Sequence, residues 1–97
     1  MKTLVNNVIK WADDKSLIDK EKSTKQMLKV MEEVGETASA LAKGNRDELI
    51  DGIGDVFVTL IILAAQNGLN PEDCLESAWN EIKNRTGKTI NGVFIKD

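Results

Sequence analysis

Between Leu49 and Ala65 the chain is apolar almost all the way round a helical projection, yet Asp51 and Asp55 stand inside that run. A helix hydrophobic on every side belongs in the middle of a protein, wrapped by others. This one segment therefore points to an all-α bundle whose other helices supply the covering faces. A membrane span is excluded. The most apolar stretch, Val56–Ala65, is about half the roughly 20 residues a span needs, and extending it backwards meets Asp55 and Asp51.

The other helices are marked by their ends. Leu4, Val5, Val8, Ile9 and Trp11 or Ala12 recur at helical spacing and predict a first helix from about residue 3 to 14. A polar connection follows, Asp13 to Lys22, interrupted by Leu17 and Ile18. Ser23-Thr24-Lys25-Gln26 has the capping-box form, a hydroxyl at the N-cap with a Gln three residues on to reach back. Met27, Val30, Met31, Val34, Ala38 and Leu41 then draw one apolar stripe, and Gly44-Asn45 supplies a left-handed stop.

Asp47 or Asn45 can cap the third helix, which runs to about Asn67 and ends at Gly68. Asn70-Pro71-Glu72-Asp73 opens the fourth, with Leu75, Ala78, Trp79 and Ile82 as its expected inner face. The β-branched stretch from Thr89 to Ile95, centred on Asn91-Gly92, predicts a short hairpin or an extended tail. The expected fold is a single domain over residues 1–97, a four-helix bundle with that short C-terminal tail.

A chain of 97 residues hides only roughly 60–65% of the surface its unfolded form exposes. A homodimer or homotetramer is expected, and a symmetric dimer would place helix three at its interface. The net charge of −3 argues against nucleic acid as a partner, because phosphate contacts need a basic stripe. A lone Cys74 and an N-terminus, MKTLVNNVIKWADDK, without an uninterrupted apolar core lead to the expectation of a cytoplasmic protein.

The acids on helices two and three carry the chemical signal. Glu32, Glu33 and Glu36 fall within five positions, so Glu36 is a helical neighbour of both others. On helix three, Glu48, Asp51, Asp55 and Thr59 are spaced by three, four and four and draw one polar stripe. Two like charges about 4 Å apart repel by about 4 kcal/mol at an effective dielectric near 20. Burying either one without a partner costs more. Lys29 and Lys43 are too few to neutralise five or six acids. A divalent cation does so directly. Ligation by oxygen alone, in a chain with no His, selects a hard ion, Mg²⁺ or Mn²⁺. The blander reading is that Glu32-Glu33 is simply a solvated helix face, and that Asp51 and Asp55 are exposed with Gly52 and Gly54 lining the same open side.

These residues resemble the MazG-like nucleotide pyrophosphohydrolase family, the all-α group that also includes dimeric dUTPases and phosphoribosyl-ATP pyrophosphohydrolases. Its hallmark is EExxE on one helix and ExxD on the next, and Glu32-Glu33-Val34-Gly35-Glu36 matches the first half. The second half fits in two registers. Glu48-Leu49-Ile50-Asp51 matches ExxD literally, whereas Gly54-Asp55-Val56 resembles the family's GD step and would put Gly52 at the glutamate position. The resemblance covers roughly residues 25–88. It implies Glu33, Glu36 and Asp55 as metal ligands, Asp51 as a fourth and Glu48 in reserve, with Glu32 holding the attacking water.

Asn80-Glu81-Ile82-Lys83-Asn84-Arg85 resembles the family's Asn, Lys and following Arg, which contact the nucleotide and its phosphates. The plain alternative for Lys83 and Arg85 is the basic end of a helix, favoured by its dipole. In helical folds of this kind the N-terminal helix often closes over the base, which makes Trp11 a further substrate-binding residue. The implied activity is Mg²⁺-dependent conversion of a (d)NTP to the (d)NMP and pyrophosphate. The alternative is a catalytically inactive helical dimer acting as a nucleotide-binding or regulatory module.

Overall fold

A computed structural model describes residues 1–97. Four helices follow in order: α1 (Lys2–Asp14), α2 (Ser23–Lys43), α3 (Arg46–Gln66) and α4 (Pro71–Ile82). A hairpin of β1 (Gly87–Ile90) and β2 (Val93–Lys96) closes the chain. This is the all-α bundle with a C-terminal hairpin that the sequence implies. No helix is long and apolar enough to cross a membrane.

The connections show why the helices stop where they do. After α1, Ser16 takes a left-handed φ of 61°, and the Leu17 N–H donates back to the Ala12 carbonyl at 2.9 Å. Gly44, φ 69°, ends α2 in the same way, with the Asn45 N–H on the Ala40 carbonyl at 3.1 Å. Asn45 then caps α3 at once, its Oδ1 accepting from the Glu48 N–H at 3.1 Å. Only Gly44 and Asn45 lie between the two longest helices, so α2 and α3 form a tight antiparallel hairpin. Asn70 caps α4 through the Glu72 N–H at 2.8 Å. Asn91 (φ 52°) and Gly92 (φ 78°) make the hairpin turn, which matches the twist of its strands.

The capping box expected at Ser23 does not form. Asp19 caps a short 3₁₀ turn, Lys20–Lys22, which runs straight into α2, so Ser23 is already helical. Its hydroxyl accepts instead from Asn67 Nδ2 at 3.0 Å, and Gln26 Nε2 crosses to the Thr59 carbonyl at 3.0 Å. Gln66 Nε2 donates to the Leu17 carbonyl at 2.9 Å. These three bonds tie the start of α2 and the α1–α2 connection to the last turns of α3.

The inward face of α2 is also not the apolar stripe read from the sequence. Val30, Glu33 and Ala40 are its buried residues, with Thr37 half-buried between them, while Met27, Met31, Val34 and Leu41 are exposed. The cause is how closely α2 and α3 approach. A Cβ on Gly52 would lie 2.5 Å from Thr37 Oγ1, so small residues make the contact and the larger apolar side chains are displaced to its flanks. Two further expectations fail, because no element of the chain packs over these faces. Helix α3 is central, yet Ile50, Ile53, Phe57 and Leu60 remain exposed on it; α4 buries nothing, and Leu75, Trp79 and Ile82 are open to solvent.

Candidate active site

Next to the turn that joins them, α2 and α3 leave a cleft of about 300 Å³. Its walls are Glu36, Ser39 and Lys43 from α2 and Glu48, Asp51, Gly52 and Asp55 from α3, with no hydrophobic side chain. Helical spacing makes the wall. Glu36, Ser39 and Lys43 are three and four residues apart, and so are Glu48, Asp51 and Asp55, so each set shares one face of its helix. The antiparallel turn at Gly44-Asn45 sets the two faces opposite each other.

Of the two readings of Asp51 and Asp55, buried with a counter-charge or exposed along an open side, the second holds. Glu48, Asp51 and Asp55 are exposed, because the cleft is open. Among these acids Glu33 alone is buried, at 8% exposed. Glu33 has a partner on its own helix, Lys29, whose Nζ lies 3.3 Å from its carboxylate and 3.5 Å from that of Glu32. Lys29 thus serves two of the acids, and Glu36, Glu48, Asp51 and Asp55 form no ion pair. The hydrogen bond to Glu33 and then the charge of Glu32 raise the Lys29 pKa above its ordinary 10.5.

Glu36 lies between these groups. The Glu33 carboxylate, then desolvation, then Glu32 push its carboxyl above the usual 4.5. Two neighbouring carboxylates thus favour a proton on Glu36. The donor set is all oxygen, which suits a hard divalent ion. No three of the acids converge tightly enough in this arrangement to form a ready coordination set.

Gly52 settles what packing allows in the second motif register. A glutamate there would drive its Cβ to 2.5 Å from Thr37 Oγ1 and 3.2 Å from Thr37 Cα, so no side chain fits at this helix separation. Asp51 and Glu48 line the cleft beside it.

The expected substrate-binding residues lie elsewhere. Trp11 borders an apolar hollow with Leu4, Val8 and Val58, and neither Asn80, Lys83 nor Arg85 lines the carboxylate cleft. Asn80 is exposed on α4, and Lys83 and Arg85 follow just after its last residue. Lys43 and Ser39 are cleft residues that the sequence reading missed as site residues. Their signal was their spacing of seven and three from Glu36.

Comparison with known proteins adds an independent line. A family model described as phosphoribosyl-ATP pyrophosphohydrolase matches residues 6–81. The chain is also 41% identical over 70 residues to an uncharacterized 18.2 kDa protein in the rep-hol intergenic region of Haemophilus phage HP1 (strain HP1c1). That match covers 72% of this chain and 43% of the phage protein, so the chain spans less than half the length of that relative. No solved structure matches. The matched family is one of those named within the all-α pyrophosphohydrolase group that the motifs resemble.

Proposed function

This chain belongs to the phosphoribosyl-ATP pyrophosphohydrolase family, and from that premise we propose that it is a Mg²⁺-dependent hydrolase converting a (d)NTP to the (d)NMP and pyrophosphate. The observation that carries the reading is the cleft walled by Glu36, Glu48, Asp51 and Asp55 with no apolar side chain in it. A base or sugar finds nothing apolar to rest on there, whereas a cation bridging to phosphate finds four carboxylates.

Glu36, Asp51 and Asp55 would hold the cation, with Glu48 at the outer end of the same stripe. Bound there, Mg²⁺ (or Mn²⁺) would shield the phosphate charge and lower the pKa of a coordinated water. Lys43, on the α2 wall, supplies a mobile positive charge for a phosphate oxygen. Glu33 would join the ligands if Lys29 let it go, and Glu32 would then be free to orient a water. Asn80, Lys83, Arg85 and Trp11 act on the nucleotide away from the cation.

One observation favours the second reading, a nucleotide-binding or regulatory module without turnover: the cations after α4 do not line the carboxylate cleft. The two readings separate in one assay. Pyrophosphate release is measured on a panel of canonical and modified dNTPs and NTPs, and on phosphoribosyl-ATP, with Mg²⁺ and with EDTA. Release that needs Mg²⁺ is expected. Nucleotide binding with no release from any member would favour the module, and neither binding nor release would sink both.

A further inference from the structure

Beside the carboxylate cleft, α2 and α3 touch through Thr37 and Gly52. Gly52 is buried on α3, and a Cβ there would meet Thr37 Oγ1 at 2.5 Å and both Thr37 Cα and Thr37 Cβ at 3.2 Å. The hydroxyl is not free to swing aside. Thr37 Oγ1 donates to the Glu33 carbonyl one turn earlier at 2.7 Å, and a β-branched side chain in a helix has few other rotamers. The approach to Thr37 Cα is a backbone limit that no rotamer relieves. A side chain at position 52 therefore has to move one helix away from the other. A glycine inside a helix costs stability relative to alanine, so its presence here goes with the close approach.

The same contact adjoins the acids. Gly52 lines the cleft, follows Asp51 directly and lies three residues before Asp55, while Thr37 follows Glu36 directly. The spacing between the Glu36 wall and the wall of Asp51 and Asp55 is thus set by their immediate neighbours in the chain. Mg²⁺ takes its oxygen ligands at about 2.0–2.1 Å in near-ideal octahedral geometry. Aspartate has a short stem and little reach with which to follow a wall that moves back.

We propose that Gly52 and Thr37 are a positioning pair, setting α2 and α3 at the separation that lets carboxylates of both walls share one divalent cation. The inference rests on the proposed cation chemistry of this cleft. At the position where one motif register expects a glutamate, this chain gains helix approach in place of a ligand.

The test measures Mn²⁺ binding, from the EPR signal of the free ion, on the wild type, Gly52→Ala and Gly52→Ala/Thr37→Gly, with urea unfolding alongside. Gly52→Ala should weaken binding at least about fivefold, because the walls stand too far apart for a fixed coordination distance. The double variant removes the Thr37 side chain that the new methyl meets, and it should bind within about twofold of the wild type. Thr37→Gly puts a second glycine inside α2, which already holds Gly35, and lowers stability, so recovered affinity is not recovered stability. Equal binding by the wild type and Gly52→Ala, or no recovery in the double variant, overturns the positioning pair and leaves the cation reading standing. A wild type that binds no Mn²⁺ overturns both. If Gly52→Ala does not fold alone, the double variant decides: near wild-type affinity supports the pair, and a loss of about fivefold or more overturns it.

Discussion

Asp55 stands exposed on the α3 wall of the cleft, so its carboxylate can be changed without disturbing the core. Asp55→Asn should keep the helical circular dichroism and lose at least about 100-fold in turnover, because placing the cation carries the chemistry. Near-normal pyrophosphate release from that variant would remove Asp55 from the site. Glu36 provides a prediction of opposite sign for stability. Its folded pKa lies above the ordinary 4.5. The folded state therefore holds this proton to higher pH than the unfolded chain does. The associated stability is fully present below pH 4.5 and is lost as pH rises through the raised value. At neutral pH the charged carboxylate works against the fold, so Glu36→Gln should melt higher than the wild type at pH 7. The gap should close in acid, and a lower melting temperature at pH 7 would contradict the assignment. Of the candidate site, Glu36, Glu48, Asp51 and Asp55 were legible because i, i+3 and i, i+4 spacing fixes a shared helical face whatever the packing. The Lys29 pairing with Glu32 and Glu33 was available from the same spacing and was set aside on a count of charges. No spacing rule could locate Asn80, Lys83 or Arg85 relative to a cleft on other helices.

At the scale of the helices, ends were easier to read than faces. An end is a local event of a few residues. Asn45, Asn70 and Gly44 act where their chemistry implies, because an Asn oxygen or a glycine φ needs only its own backbone. A face is decided by what packs on it. The apolar stripe of α2 was read correctly as a stripe, but the Thr37–Gly52 contact turned a neighbouring line of small and polar residues inward. Ser23 shows the same competition at an end: its hydroxyl bonds Asn67, and Gln26 leaves for the Thr59 carbonyl. The two caps should therefore respond differently to truncation. Asn45→Ala removes the bond to the Glu48 N–H and should cost about 1 kcal/mol in urea unfolding. Ser23→Ala removes only an exposed side-chain acceptor and should cost a few tenths, roughly the range of an ordinary surface change. Equal losses would mean that Ser23 caps α2 after all.

Over the whole molecule, fold class and carboxylate site follow from one compromise. A chain this small cannot cover its own apolar surface, and it also sets several acids along a single cleft. Each feature weakens the isolated chain, and each would be relieved by something that binds. The expected second copy would relieve the first. For the second, a bound cation would convert the mutual repulsion of Glu36, Asp51 and Asp55 into shared attraction. Binding to the folded state alone stabilises it by about 2.7 kcal/mol when the free ligand is a hundred times its dissociation constant. Mg²⁺ should therefore raise the melting temperature by several degrees at fixed protein concentration, with EDTA reversing the rise and Na⁺ at matched ionic strength leaving most of it unmatched. Asp55→Asn should lose the larger part of the rise, while a cleft-remote change such as Ser23→Ala should keep it. An Mg²⁺ response equal to that of the sodium control would reduce the cleft to a screened acidic surface. The match to the pyrophosphohydrolase family would then stand without a cation site of its own.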